Sequence, residues 1–133
     1  MSAPVRLRYL TDTIATASPA RLLVMLYDRL CLDLERAHAA LLAGEREPAS
    51  DALVHAQDIL MELRGSLRLD GWDGAANLSG IYTFLIGELL KANIRQEPDR
   101  VSACLATVRP LRDTWREALG SNPHAPAELR ALA

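Results

Sequence analysis

The stretch "LVHAQDILMELRGSL", Leu53 to Leu67, carries Leu53, Ala56, Leu60, Leu63 and Leu67 at intervals that alternate three and four residues. That alternation keeps the apolar side chains on one stripe of a helix and is the spacing of a seam in a bundle or coiled coil. A single striped helix has nothing to bury its stripe against, so the stretch requires partners. The rest of the chain supplies them.

Upstream lies "TASPARLLVMLYDRL", Thr16 to Leu30. Ser18 is placed to cap the free N–H groups of a first turn, and Pro19 stands at the first helical position, where it has no N–H to leave unpaired. The helix is expected to run to Ala43, with Gly44 as a left-handed C-cap. Leu22, Leu23, Val24, Met25, Leu26, Tyr27 and Leu30 crowd this helix on more than one face, which a single buried stripe does not require.

Downstream of the seam, "RLDGWDGAAN" contains Asp-Gly twice and is predicted as a loop. A third helix then places Leu78, Tyr82, Leu85, Leu89 and Ala92 on one face, with Gly87 inside it at a cost of about 1 kcal/mol relative to Ala. A fourth seam reads Val101, Leu105, Val108, Leu111 and Trp115, and Pro110 within it predicts a kink. The helices are expected at about 18–43, 48–68, 75–95 and 98–119. Short connections make neighbours antiparallel, so the fold class is all-α: an up-down-up-down four-helix bundle over residues 18–119. Residues 1–17 are expected to form a short, extended, mobile N-terminal arm, and residues 120–133 a flexible tail.

Composition narrows the function. The chain has 133 residues, 50% of them apolar, and a net charge of −2 with acids and bases interspersed. No basic stripe is present for nucleic acid. No apolar run is long enough for a membrane span or shaped like a signal peptide, which predicts a cytoplasmic protein without membrane insertion. Cys31 and Cys104 lie far apart without a second ligand motif and are read as buried, reduced thiols.

"ERAH", Glu35 to His38, has the Glu-x-x-His spacing of di-iron bundles, but such a site needs a second copy and further inward carboxylates. His55 has only Asp51 one turn before it, and His124 lies in the tail. No metal and no cofactor are expected. No Gly-x-Ser-x-Gly, phosphate loop or Cys–His pair suggests an enzyme.

Apolar residues exceed the roughly three positions in seven that a bundle core uses. Ile59 and Met61 flank the second seam, and Ile81, Phe84, Ile86 and Leu90 flank the third. A contiguous surplus of this kind has two readings, a wide core with loosely placed Leu or a groove for apolar helices of a partner.

Three stretches also resemble the bacterial flagellar export chaperone family FliS. "TASPARLLVMLYDRL" resembles its first-helix start, "NLSGIYTFLIGELLKANIRQ" its third-helix motif with Asn-Leu, Tyr and a closing Ala-Asn, and "LRDTWREAL" its last-helix ending. Tyr9 and Ile14 fall where the family has a Tyr and a small apolar residue. The chain departs from the family at Gly87-Glu88, where a basic pair is usual, at Arg29, where Gly is usual, and at Pro110.

The resemblance implies a cytosolic chaperone that binds the C-terminal segment of flagellin, prevents premature polymerisation and delivers it to the flagellar type III export apparatus. The partners would be flagellin and, through the chaperone–flagellin complex, an export-gate component; the protein itself would be a monomer or weak homodimer. A generic helical adaptor for another amphipathic helix is the alternative.

Family positions and surplus apolar surface together nominate Tyr9, Ile14, Tyr27, Ile59, Leu63, Tyr82, Ile86, Leu89, Leu90 and Asn93 as flagellin contacts. Tyr9 and Ile14 would belong to an arm that covers the groove until flagellin displaces it. Asn93 has two readings: a cap for the end of the third helix, or a polar anchor for flagellin backbone at the groove rim.

Overall fold

The computed structural model describes residues 19–68 and 73–121. They form four helices: α1 (Pro19–Leu42), α2 (Arg46–Ser66), α3 (Ala75–Arg95) and α4 (Pro98–Ser121). Among the described residues there is no strand. The fold is all-α. Each helix packs on its neighbour in sequence, and α1 closes the ring against α4.

Cross-helix bonds fix the antiparallel sense. Asn93 Nδ2 donates to Ser50 Oγ at 3.2 Å, and Arg64 reaches Thr83 Oγ1 at 3.2 Å, so ascending α2 meets descending α3. On the other side Asp28 pairs with Arg116 and Glu35 with Arg109, again in opposite order along α1 and α4.

The seams read from the sequence are the core. Leu53, Ala56, Leu60 and Leu63 of α2, Leu78, Tyr82, Leu85, Leu89 and Ala92 of α3, and Val101, Leu105, Val108 and Trp115 of α4 are buried. Helix α1 contributes Leu23, Tyr27, Leu30, Cys31, Leu34, Ala37 and Leu41. Its apolar residues on several faces follow from its position, because it packs on both α2 and α4; Val24 and Leu26 lean on the core from its flanks.

The helix ends show why the connections are short. Gly44 takes φ +72°, which lets the Glu45 N–H reach Ala40 O at 2.9 Å and the Gly44 N–H reach Leu41 O at 3.1 Å. This is a Schellman closure around a residue without a Cβ penalty. Helix α3 closes similarly with Gln96 at φ 55°: the Glu97 N–H bonds Ala92 O at 3.1 Å, and Gln96 Nε2 donates to Asn93 O at 2.6 Å.

Three sequence expectations change. Helix α2 starts at Arg46, before Pro48, which sits in the first turn where N–H groups have no helical acceptor. Helix α4 runs as one element through Pro110 and Gly120 to Ser121; Pro110 lies on its exposed side, and its carbonyl accepts Thr114 Oγ1 at 2.8 Å. The Asn93 side chain does not cap its own helix, since Gln96 fills that role and Asn93 crosses to α2. Ser18, the predicted arm with Tyr9 and Ile14, and residues 122–133 lie outside the described residues.

Candidate functional site

The α2–α3 seam is where the molecule turns apolar side chains outward. The bonds Asn93–Ser50 and Arg64–Thr83 mark its two ends. Between them the antiparallel register puts Val54 about level with Leu90, with Met61 further along the same side of α2, and Ile94 continues the line beyond Asn93; Phe84 stands on the other edge of α3, the side on which Glu88 meets Arg100 of α4. All five apolar side chains are exposed, Phe84 to 63%, Leu90 to 50% and Ile94 to 69%. Isolated exposed leucines are ordinary, whereas Val54, Met61, Leu90 and Ile94 together along one seam form a patch that water covers poorly. Below them Ile86, on the same side as Asn93, is half-buried and packed on the core, so the patch has an apolar floor.

Several nominated contacts lie beneath this surface rather than on it. Tyr27 and Tyr82 are buried, with hydroxyls hydrogen-bonded at 2.7 Å and ring centroids 6.5 Å apart. Burial pushes both phenols above their ordinary range, so they remain neutral donors and acceptors to each other. Ile59, Leu63 and Leu89 are likewise core. In this structure these five side chains belong to the packing of the bundle. Ile86 is a floor residue and Leu90 stands on the face; half-buried Asn93 sits at its end, committed to Ser50. Val54 and Ile94 were missed. Their signal was present, since both fall off the three-and-four seam of their helix and are nonetheless large and aliphatic.

A second cluster lies between α1 and α2. Asp33 is only 2% exposed; its Oδ1 is 3.3 Å from Arg29 Nε, and its Oδ2 is hydrogen-bonded to His55 Nδ1. The cluster floors an open cavity of about 550 Å³ whose walls include Arg36, Ala40, Asp51 and Ala52. The sequence paired His55 with Asp51; its partner is Asp33 on the neighbouring helix. A buried carboxylate needs such company, because desolvation without a partner is costly. Glu35 of the Glu-x-x-His pair is engaged by Arg109 at 3.3 Å. Among the described residues no three His, Cys, Asp or Glu side chains gather as a metal-binding group. Both thiols are buried, and burial raises them, Cys104 up to about 12, so they stay protonated at neutral pH.

A family model described as "Flagellar protein FliS" matches residues 1–122. The chain belongs to the FliS family. It is 30% identical over 110 residues to the flagellar secretion chaperone FliS of Escherichia coli (strain K12), covering 81% of each chain. It is 26% identical over 113 residues to that of Bacillus subtilis (strain 168), covering 85% of this chain and 84% of the relative. The fold matches a solved "flagellar chaperone from bacteria" with a TM-score of 0.72 at 21% identity, over 90% of this chain and 98% of the other. As a flagellar secretion chaperone by family, this FliS chain presents its exposed apolar patch on α2 and α3, and none of its described helices is long and apolar enough to cross a membrane.

Proposed function

We propose that this protein acts in the cytoplasm as a flagellar secretion chaperone: it binds the disordered C-terminal segment of flagellin, keeps it from polymerising and delivers it to the flagellar type III export apparatus. The observation that supports this is the exposed apolar face along α2 and α3 on a bundle of the FliS family. Flagellin's terminal segments pack as helices in the filament, so in the monomer they are apolar and unpartnered, and a long apolar face on a small bundle covers a segment of that kind. Leu90 and Ile94 are the proposed main contacts on α3, with Val54 and Met61 on the facing helix. No catalytic step is involved.

The protein, a monomer or weak homodimer by this proposal, forms a one-to-one complex with flagellin, and the complex is what engages the export gate. Size-exclusion chromatography with light scattering on the mixed proteins tests it. A single peak at the summed mass is expected; separate elution at micromolar concentration contradicts it. A generic helical adaptor would leave flagellin unbound and retain another amphipathic helix instead.

A further inference from the structure

We infer that two copies of this chain associate weakly through the outer stripe of α3, antiparallel and related by a two-fold axis at Phe84. Phe84 is 63% exposed and stands apart from the α2–α3 patch, on the edge of α3 where Glu88 meets Arg100 of α4 at 2.9 Å. Its ring serves neither the core nor that patch. The residues around it are placed symmetrically: Asn77 and Lys91 lie seven residues either side of Phe84, and Asp73 and Arg95 lie eleven either side. Seven residues make about two turns and eleven about three, so the five positions share one stripe, within about 20° of its centre line. All five are exposed.

The stripe is also polarised. Between Asp73 and Glu88 the chain carries no charged residue, so an uncharged middle separates an acidic end at Asp73 from Lys91 and Arg95. Lys91 touches Glu88 at 3.5 Å and Arg95 touches Glu97 at 3.9 Å, but Arg100 holds the same two acids more closely, at 2.9 and 3.1 Å. Three bases against two acids leave that end positive. A second copy turned end for end matches every position at once: Phe84 meets Phe84, Asp73 meets Arg95 and Asn77 meets Lys91, each charged contact being made twice. Aromatic rings brought together in this way attract when offset. A parallel pair would instead set Arg95 on Arg95 and Asp73 on Asp73. About level with Phe84, α4 exposes only the small side chains Ala103, Ala106 and Thr107, which do not hold the two α3 helices apart. One helix pair buries less than the roughly 1,200 Å² of a stable complex, so the association is weak. The α2–α3 patch, on the other edge of α3, stays free in the pair, and the contact does not depend on flagellin.

Sedimentation of the full chain from about 10 μM to about 1 mM tests this, with thermal melting on each variant. Wild type should pass from monomer to dimer with a dissociation constant on the order of 100 μM. Phe84→Asp should weaken the dimer at least about tenfold while melting like wild type, since the ring lies outside the core. Asp73→Arg and Arg95→Glu should each weaken it roughly fivefold, because each sets like charges face to face. An equal mixture of these two variants should dimerise within about twofold of wild type, since in the mixed pair every base faces an acid. That arm rests on two exposed positions at the ends of the helix and is independent of any effect of Phe84 on folding. A wild type that stays monomeric throughout overturns the inference and leaves the stripe to a partner of another kind. Dimerisation of Phe84→Asp at wild-type strength overturns it too, and a mixture no tighter than either variant alone contradicts the antiparallel register.

Discussion

The α1–α4 and α2–α3 seams bury similar cores and are finished differently on the outside. Along α1–α4 the surface is spanned by the ion pairs Asp28–Arg116 and Glu35–Arg109. Along α2–α3 the cross-helix bonds sit at the ends, and the middle shows Val54, Met61 and Leu90 to water. Exposed ion pairs add little stability, so the difference is not one of strength. It is one of cover: ion pairs span one seam, and the other, the face proposed to take flagellin, leaves apolar side chains exposed.

Leu90→Asp should have the largest effect on this contrast. A charge in the middle of the open face should weaken flagellin binding by about a hundredfold or more while the circular dichroism spectrum stays helical. Ile86→Asp is not equivalent, because Ile86 packs on the core and its replacement should lower the melting temperature. Next is Asp33→Ala, which removes the anion joining Arg29 and His55 between α1 and α2. It should cost about 3 kcal/mol in urea titration, since a buried network loses its centre.

Asn93→Ala should cost about 1 kcal/mol, the worth of the Ser50 hydrogen bond, with peptide affinity within about twofold of wild type. A severalfold loss of affinity at unchanged stability would instead make Asn93 part of the face. Arg116→Ala, on the ion-paired seam, should change stability by less than about 1 kcal/mol and leave binding intact; a large binding loss there would erase the distinction between the seams.

What the sequence made legible follows from periodicity. Leu78, Tyr82, Leu85, Leu89 and Ala92 could be assigned to one face because a helix repeats every 3.6 residues, and that face is the core. The same rule separates Leu89 from Leu90, adjacent in sequence but about 100° apart around the axis, so one is buried and the other exposed. Family position does not carry that distinction, and Tyr27, Tyr82 and Leu89, nominated partly by it, are buried. The Asp33–His55 pair was not legible, since it depends on how α1 and α2 slide against each other, which the periodicity within each helix does not specify. Gly44 announced its turn. Gln96 did not, because the usual marks of a left-handed cap are Gly and Asn.

The most direct test of the open seam is calorimetric titration of the wild-type protein and Leu90→Asp with the flagellin C-terminal peptide at several temperatures. Wild type should bind one peptide per chain with a large negative heat-capacity change, the signature of an apolar segment folding onto an apolar surface. Leu90→Asp, still helical, should give no binding heat. Equal binding by the two proteins, or none by the wild type, would contradict the assignment of the α2–α3 face to flagellin.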